Sequence, residues 1–406
     1  MSVNQKTIDI VKATAPVIQE HGVAITSHFY KLMFQHNPEL KNVFNMAHQA
    51  EGTQPKVLAG AILGYATYID NLPMLSAAVE RIAQKHASLS IQPAQYTIVG
   101  KHLIQAIKDV LGEAATPDII EAWTDAYGIL ASVFVKREGD IYNEKINEDG
   151  GWVGFRDFTV TKKTEESDEI TSFYLQPVSG QLLQYNPGQY IAVKLKGEEH
   201  SHVNMRNYSL SDAPGKEYYR ISVKREVGQG DKPNGIGSNF LHDHVLEGDI
   251  IEVGIPAGDF YLNEKSNKDI VLLSGGVGVT PMLSMLEHLV ATHSTRKINW
   301  IHAAKSSKSH AFKSEVNELT RTHSNISSTY IYSDNLPEDK MERKGLVDAA
   351  LIAELVENYS EAEYYFCGPK PFMKAVLNAL TVLGVKEGQI NFEFFGPSEE
   401  LTTVEH

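Results

Sequence analysis

One histidine of this chain stands where its ring could do chemistry, on an apolar helical stripe. Val79, Ile82, Ala83 and His86 fall at helical spacing, so His86 extends a face that is expected to point into a core. A charged imidazole is unusual in apolar surroundings. Spacing alone leaves two interpretations open, a neutral core histidine bonded to a backbone carbonyl or an axial ligand for a metal or haem iron.

Four further polar residues occupy similar positions. Tyr30 and Gln54 lie at helical spacing with apolar neighbours, and each alone is ordinarily a core group with a hydrogen-bond partner. Glu138 continues another apolar stripe, where a carboxylate buried without a partner would be costly. Two interpretations of Glu138 remain open, a buried pair with Tyr96 and a helix-end carboxylate in water.

Two later segments could bind phosphorylated ligands. Alternation along 206–209 places Arg206 and Tyr208 on one strand face, which suits a phosphorylated planar ligand, although an exposed Arg beside a packed Tyr is the simpler alternative. A glycine loop at 235–241 leads into a short predicted helix whose first N–H groups could meet an anion.

A glycine-rich turn at 274–281 follows an apolar strand and precedes a helical run, where a doubly wound sheet binds nucleotide phosphates. The turn lacks the Gly-x-Gly-x-x-Gly spacing and is weak evidence alone. Cys367 ends another apolar strand, and an inert core thiol is the preferred interpretation of its chemistry.

Three patterns of elements position these residues. Helical periodicity runs from Thr7 to about Tyr142, with breaks at 36–38, 71–73, 92–93 and 116–118. Short strands are then predicted at 158–161, 170–175, 190–195, 206–210, 218–224 and 250–255, and strands alternating with helices at 270–273, 298–303, 329–332, 364–367 and 390–394. The fold class predicted is a multidomain chain: an all-α domain at 1–146, an antiparallel β-barrel at 152–263 and an α/β doubly wound domain at 268–406.

Composition narrows the classes of partner. The 406 residues carry a formal charge of -14, which argues against a nucleic-acid footprint or binding to an anionic membrane surface. The single cysteine excludes an intramolecular disulfide framework and a Cys-cluster metal site. With no secretory signal and no transmembrane segment expected, we predict a cytoplasmic monomer that acts on small molecules.

Several motifs resemble the globin domain of the flavohaemoglobins: His28-Phe29-Tyr30, Asn37-Pro38-Glu39-Leu40, Phe44-Asn45-Met46, Ile82-Ala83-Gln84-Lys85-His86 and Tyr96-Thr97-Ile98-Val99-Gly100. The resemblance implies that His86 is the proximal haem iron ligand and that Phe44 packs on the haem face. It also implies that Tyr30, Gln54 and Leu58 form the distal pocket and that Tyr96 and Glu138 contact the proximal histidine. A carboxylate on the second ring nitrogen would make that imidazole more electron-donating.

The remaining motifs resemble the ferredoxin-reductase family and occur in the same order along the chain. The FAD contacts that this resemblance implies are Tyr190, Arg206, Asn207, Tyr208, Ser209, Gly237, Ser238, Phe394, Phe395, Gly396 and Pro397. The NAD(P) contacts that it implies are Gly275, Gly276, Val277, Gly278, Val279, Thr280, Pro281, Cys367, Gly368 and Pro369.

The two resemblances together imply a nitric oxide dioxygenase with one haem b and one FAD. NAD(P)H would supply electrons through FAD, and NO and O2 would become nitrate, which detoxifies NO under nitrosative stress. One alternative is a haem-dependent hydroperoxide or ferric-compound reductase. Another is an O2 or NO sensor, against which the attached reductase argues, since a sensor does not need its iron reduced at every cycle.

The electron donor and a further ligand stay open. Lys305 and Lys308 could meet the 2'-phosphate of NADPH, whereas Asp334 could repel it, and NADH is slightly favoured. Whether a lipid occupies the distal pocket is not decided by the sequence.

Overall fold

The computed structural model describes residues 4–46, 49, 51–196, 203–228, 230, 233–339 and 343–396. Its contacts divide the chain into two compact units, Met1–Phe155 with Ala192–Arg206 and Arg156–Ile191 with Asn207–His406. Across the described ranges, none of the helices has both the length and the apolar character that crossing a membrane requires.

The part of the first unit that precedes the strands is helical. Over its described residues the long α-helices are α1 (Gln5–His36), α2 (Thr53–Tyr68), α3 (Ser76–Ser88), α4 (Pro93–Leu111) and α5 (Pro117–Asn147). The predicted breaks are confirmed, because α4 and α5 begin at the prolines of two breaks and short 3-10 turns, Pro38–Asn42 and Leu72–Leu75, follow the other two. The Thr116 hydroxyl accepts a hydrogen bond from the Ile119 N–H and caps α5.

One apolar core joins these helices, but they contribute to it unequally. Helix α1 buries large side chains such as Ile25, Phe29 and Met33. Helix α5 adds Trp123, whose ring N–H donates to the Thr14 hydroxyl at 3.0 Å. The fully buried positions of α3 are small, namely Ala83, Ala87 and Ser88.

Six strands form one sheet in the middle of the chain, and their order in the sheet differs from their order in the sequence. They are β1 (Phe155–Glu165), β2 (Ile170–Pro177), β3 (Tyr190–Leu195), β4 (Asn204–Ser209), β5 (Tyr219–Lys224) and β6 (Ile250–Gly254), in the sheet order β4-β3-β6-β1-β2-β5. Strand β2 pairs antiparallel with both β1 and β5. Helix α6 (Ile236–His244) follows β5, as the glycine loop predicts.

A parallel sheet carries the last part of the chain. Its strands are β7 (Ile270–Gly275), β8 (Ile298–Ala304), β9 (Ile326–Tyr332), β10 (Arg343–Lys344), β11 (Glu363–Cys367) and β12 (Ile390–Glu393), in the order β10-β9-β8-β7-β11-β12. Its helices are α7 (Val279–Ala291), α8 (Lys313–Thr322), α9 (Ala349–Leu355) and α10 (Lys370–Val382). The two-residue strand β10 is the one that the sequence analysis did not predict.

Alternation along β7 shows that both faces of this sheet are covered. Ile270 and Leu272 join the core that contains α7, whereas Val271 and Leu273 join the core that contains α10. The chain order reverses between the neighbouring strands β7 and β11. The carboxyl ends of these two strands are therefore the position where a doubly wound sheet binds its ligand.

Candidate functional site

Three of the predicted residues meet around one imidazole ring. His86 near the end of α3 places its Nδ1 2.7 Å from Glu138 Oε1 and 2.8 Å from Tyr96 Oη. The Tyr96 hydroxyl also donates a short hydrogen bond to the same carboxylate oxygen. Since a carboxylate accepts, the geometry places a proton on Nδ1 and leaves Nε2 as the nitrogen that can bind a ligand.

Glu138 is not the solvated helix-end carboxylate that one interpretation of the sequence proposed. It is 2% exposed, and its partners come from α3 and α4. Burial and the hydrogen bond to Glu138 together raise the pKa of Tyr96, so its phenol stays protonated and keeps donating. The contact between Glu138 and His86 is an observation, while its role beside an axial ligand stays a prediction.

Packing holds this group of side chains in place. The Phe134 ring lies 5.9 Å from the His86 ring and is stacked 6.2 Å from the Tyr96 ring, centroid to centroid. The Tyr127 hydroxyl donates to the Tyr96 carbonyl at 2.6 Å. Gly100 admits the Tyr127 ring, because an added Cβ would lie 2.3 Å from its Cε1 atom. Tyr96 is therefore held at both its ring and its backbone.

The predicted distal residues gather around Tyr30, which is 5% exposed. Its ring contacts Phe44 edge-on at 5.7 Å between centroids, and Leu58 packs partly buried against the same core. Burial raises the pKa of Tyr30 to about 12, and the side-chain amide of Gln54 opposes part of that rise. The hydroxyl is consequently protonated at neutral pH and available as a donor.

Gln49 is a distal residue that the sequence analysis missed. Its buried Nε2 makes no hydrogen bond of good geometry among the described residues, yet it lies close enough to the Tyr30 hydroxyl for its amide to oppose, as Gln54 does, the rise in the pKa of Tyr30. It lies in a polar segment with no apolar periodicity, so no sequence signal marks it. The orphaned donor near Tyr30 and the open Nε2 of His86 fit a haem that is coordinated on one side and binds a polar ligand on the other.

Strand β4 carries the predicted flavin contacts. Asn207 Oδ1 and Ser209 Oγ are buried without a hydrogen-bond partner within the described ranges, which is costly unless a ligand satisfies them. Arg206 is turned along its own strand, where its guanidinium donates to the Met205 carbonyl at 2.7 Å. The unsatisfied oxygens of β4 fit an FAD, whose ring and ribityl chain offer donors.

Two other predicted flavin elements are tightly built. Gly258 has a φ of +120° and brings its backbone against Tyr190, since an added Cβ would lie 2.9 Å from the Tyr190 Cε1 atom. At the start of α6, the Ser238 hydroxyl accepts from the Glu226 N–H at 3.1 Å and donates to the Gly235 carbonyl at 3.3 Å. Gly237 and Ser238 are both buried, so Ser238 fixes the loop to which the resemblance to ferredoxin reductases assigns the pyrophosphate of FAD.

The predicted nicotinamide loop lies at the carboxyl end of β7. The loop passes through Gly275, Gly276, Val277 and Gly278 and enters α7 at Val279, Thr280 and Pro281. An added Cβ on Gly278 would lie 2.2 Å from the Cys367 carbonyl oxygen, and one on Gly368 would lie 3.1 Å from Gly275 Cα. The ends of β7 and β11 are thus in backbone contact at the switch point.

The remaining predicted contacts differ in exposure. Cys367 is fully buried, and burial raises the pKa of its thiol, which agrees with an inert core cysteine. Phe394 is partly buried against the sheet core, whereas Phe395 is 43% exposed. Gly396 follows in a turn, its N–H bonded to the Phe394 carbonyl, and Pro397 lies outside the described residues.

A buried histidine pair beside this loop was also missed. His302 Nδ1 lies 2.8 Å from the Ser274 hydroxyl, and its Nε2 has no partner in the described part of the chain. The rings of His302 and His310 lie 4.5 Å apart, and His310 Nδ1 is 2.7 Å from the Tyr332 hydroxyl. Burial lowers the pKa of His302 to about 3 and that of His310 to about 2, so both rings are neutral.

Known proteins resemble each part of this chain. Family models match residues 27–134 (Globin), 157–261 (Oxidoreductase FAD-binding domain) and 272–378 (Oxidoreductase NAD-binding domain). A Flavohemoprotein of Halalkalibacterium halodurans is 47% identical over 407 residues, which cover 99% of each chain.

Two solved structures extend the comparison. The flavohemoglobin of Malassezia yamatoensis with bound FAD and heme superposes with a TM-score of 0.86 at 28% identity, over 98% of this chain and 100% of that one. The FAD/NAD-binding domain of the nitric oxide dioxygenase from Vibrio cholerae is 37% identical over 60% of this chain and 99% of that one, with a TM-score of 0.55. The predicted fold class and the predicted cofactors, haem, FAD and a nicotinamide nucleotide, are confirmed.

Proposed function

We propose, on the premise that this chain belongs to the flavohemoprotein family, that it is a nitric oxide dioxygenase that converts NO and O2 to nitrate. The chain is an oxidoreductase whose FAD-binding and NAD-binding domains follow a globin domain. The observation that carries the proposal is the hydrogen bond from His86 Nδ1 to the buried carboxylate of Glu138.

That bond supports a reactive haem more than a storage haem. An imidazole whose Nδ1 proton is shared with a carboxylate donates more electron density through Nε2. Glu138 has no competing cation in direct contact among the described residues, since its close partners are His86 and Tyr96. The charge of the carboxylate is therefore shared by the histidine and the tyrosine and is not offset by a cation in contact with it.

The distal side chains supply donors for a small polar ligand. Tyr30 keeps its proton at neutral pH, and Gln54 offers an amide beside it. The Phe44 ring lies against the Tyr30 ring, and Tyr30 itself is buried, so its hydroxyl dipole acts in surroundings of low dielectric constant. We infer that Tyr30 holds O2 long enough for NO to react with it.

Electrons come from the second half of the chain. When bound, haem supplies an iron that binds O2 and takes up electrons singly, and FAD divides the hydride of NAD(P)H into such electrons. Asn207 and Ser209 would satisfy their orphaned oxygens on the flavin. The glycine loop at the end of β7 would admit the nicotinamide nucleotide close to backbone atoms.

The test is aerobic NADH consumption by the haem- and FAD-loaded protein before and after a pulse of NO, with nitrate measured at the end. A dioxygenase gives a burst that ends with the NO and forms two nitrate ions per NADH, because a hydride carries two electrons. NADH loss that ignores the pulse, with both cofactors bound, would instead support the hydroperoxide or ferric-compound reductase. Spectral changes with NO but no NADH consumption would support the sensor.

We also propose that NADH is preferred to NADPH. The Lys305 ammonium lies 3.6 Å from the Glu169 carboxylate, which partly neutralises it. The exposed Asp334 lies just beyond the end of β9, and its N–H donates to the Lys305 carbonyl. A 2'-phosphate would meet that carboxylate. The ratio of kcat/KM for the two nucleotides tests this proposal, and Asp334→Ser should move the ratio towards NADPH.

A further inference from the structure

Helix α3 carries His86 but has little apolar surface with which to hold its position. Its fully buried residues are Ala83, Ala87 and Ser88, whereas α5, which packs against it, buries Trp123, Phe134 and Ile141. Small side chains bury little area and interlock poorly. Apolar packing therefore only weakly defines the rotation of α3 about its axis and its position along that axis. Another interaction must set where the imidazole lies.

A bidentate ion pair also joins helices α3 and α5. Arg137 on α5 donates from Nε to Glu80 Oε2 at 2.7 Å and from Nη2 to Glu80 Oε1 at 2.9 Å. Gln84 on α3 donates to Glu80 Oε1 at 2.8 Å and holds that carboxylate against its own helix. Both charged side chains are about two-thirds buried, and the Arg137 hydrogen bonds lower the pKa of Glu80.

The geometry couples this pair to the histidine. Arg137 immediately precedes Glu138 on α5. One turn of that helix therefore presents the Arg137 guanidinium to Glu80 and the Glu138 carboxylate to His86. A forked guanidinium fixes both distance and orientation, which a single contact does not. Two polar attachments, about six residues apart along α3, therefore define its placement on α5.

We propose that Arg137 and Glu80 are positioning residues that hold α3 at the register where His86 Nδ1 meets Glu138. The proposal rests on the proposed function in one respect, the assignment of His86 as the axial ligand. Neither residue of the pair contacts the imidazole; they act by keeping its hydrogen bond to Glu138 short. Loosening the pair lengthens that bond and makes the axial imidazole less electron-donating.

The experiment compares full-length holoproteins by resonance Raman spectroscopy of the ferrous, unligated haem, whose iron–histidine stretching band reports the bond to Nδ1. The variants are Arg137→Met and Glu80→Gln, with Glu138→Gln to mark the band when the carboxylate is absent. The matched control is Lys136→Met, which removes an exposed ion pair with Asp140 from the same helix. Haem loss to an excess of apomyoglobin is measured alongside.

We expect Arg137→Met and Glu80→Gln to move the band towards the position of Glu138→Gln and to lose haem faster, with Lys136→Met unchanged. The conservative variant Arg137→Lys, which keeps a cation beside Glu80 and Glu144, should leave the band closer to wild type than Arg137→Met does, which a merely destabilised fold would not do. If Arg137→Met fails to fold, the band position of the nearly isosteric variant Glu80→Gln decides whether the ion pair positions the histidine.

A wild-type band in both single variants at full haem occupancy overturns the proposal, and so does the absence of any iron–histidine band in the wild-type protein. Nitrate formation by the wild type is assayed separately. If the band responds as expected but no nitrate forms, the positioning role stands and the dioxygenase assignment fails.

Discussion

The surroundings of His86 and the end of strand β7 hold their predicted groups by different means. His86 is placed by side chains, through hydrogen bonds to Tyr96 and Glu138. The loop after β7 is placed by backbone, because Gly278 lies against the Cys367 carbonyl with no room for a side chain. A substitution at the first site can remove one hydrogen bond and leave the others in place. A side chain added at the second site would displace the whole backbone segment.

The largest effect is expected at the backbone-built site. Gly278→Ala would force its Cβ to 2.2 Å from the Cys367 carbonyl oxygen, and the atoms that it would meet are all backbone atoms, which cannot rotate away. We expect the second unit, which contains β7, to lose about 3 kcal/mol of unfolding free energy and NADH to reduce FAD about 100-fold more slowly. Urea unfolding and stopped-flow flavin absorbance measure the two quantities.

Gly276→Ala is the matched control for that change. Gly276 has a φ of +52° but nothing within 4 Å of an added Cβ, so only backbone strain of about 1 kcal/mol is expected. Equal damage from both substitutions would show that the close contact at Gly278 is not what places the loop.

The carboxylate of the side-chain-built site should come next. Glu138→Gln keeps the shape but removes the charge that His86 Nδ1 and the Tyr96 hydroxyl share, and we expect NO-dependent NADH consumption to fall about 10- to 100-fold. Asp140→Asn, an exposed carboxylate-to-amide change on the same helix, should leave the rate unaltered. Full activity in Glu138→Gln would remove the carboxylate from the mechanism.

The unfolding free energy should depend on pH because two buried histidines lie in and beside the parallel sheet. His302 and His310 have pKa values of about 3 and about 2 when folded against 6.5 for the free side chain. Below pH 6.5 the unfolded chain binds protons that the native chain excludes, so the unfolding free energy should fall by about 1.4 kcal/mol per pH unit for each histidine.

His302→Gln tests that slope by urea unfolding between pH 7.5 and about 5. The pH dependence of the variant should be shallower than that of the wild type below pH 6.5 and the same above it. A slope that His302→Gln leaves unchanged would show that this ring does titrate in the native protein.

The smallest effect is expected from a single distal hydroxyl. Tyr30→Phe removes one donor and leaves the ring contact with Phe44, so O2 should dissociate about tenfold faster, which corresponds to one hydrogen bond of about 1.4 kcal/mol. Flash photolysis measures that rate, and flavin reduction by NADH should be unaltered. Unchanged O2 dissociation would exclude Tyr30 from ligand retention.

The elements of this fold were largely predictable, because local signals encode them. Prolines with capping residues mark the starts of α4 and α5, and runs of Val, Ile, Tyr and Phe mark β7 and its neighbours. Pro16 is an exception of the opposite kind, since it lies inside α1 without ending it. Packing of buried neighbours such as Val11 and Ile18 maintains the helix there.

The partners within each site were much less predictable. Periodicity places Glu138 on an apolar stripe but leaves open whether it is buried, and its bond to Tyr96 joins residues 42 apart in sequence. Nothing in the sequence distinguishes Arg137 and Glu80 from ordinary surface charges, because their pairing depends on how two helices pack. The bond between Ser274 and His302 depends on the register of two parallel strands, which one strand's sequence does not specify.

The hydrogen bonds of Ser238 have a thermodynamic consequence for ligand binding. This hydroxyl accepts a hydrogen bond from the Glu226 N–H and donates to the Gly235 carbonyl, and the Asn239 amide donates to the carbonyl groups of both Glu226 and Gly235. The turn before α6 therefore loses its conformational entropy when the chain folds and not when an anion arrives. A pyrophosphate that binds there meets a preorganised cradle, so its affinity is not reduced by the ordering of a loop.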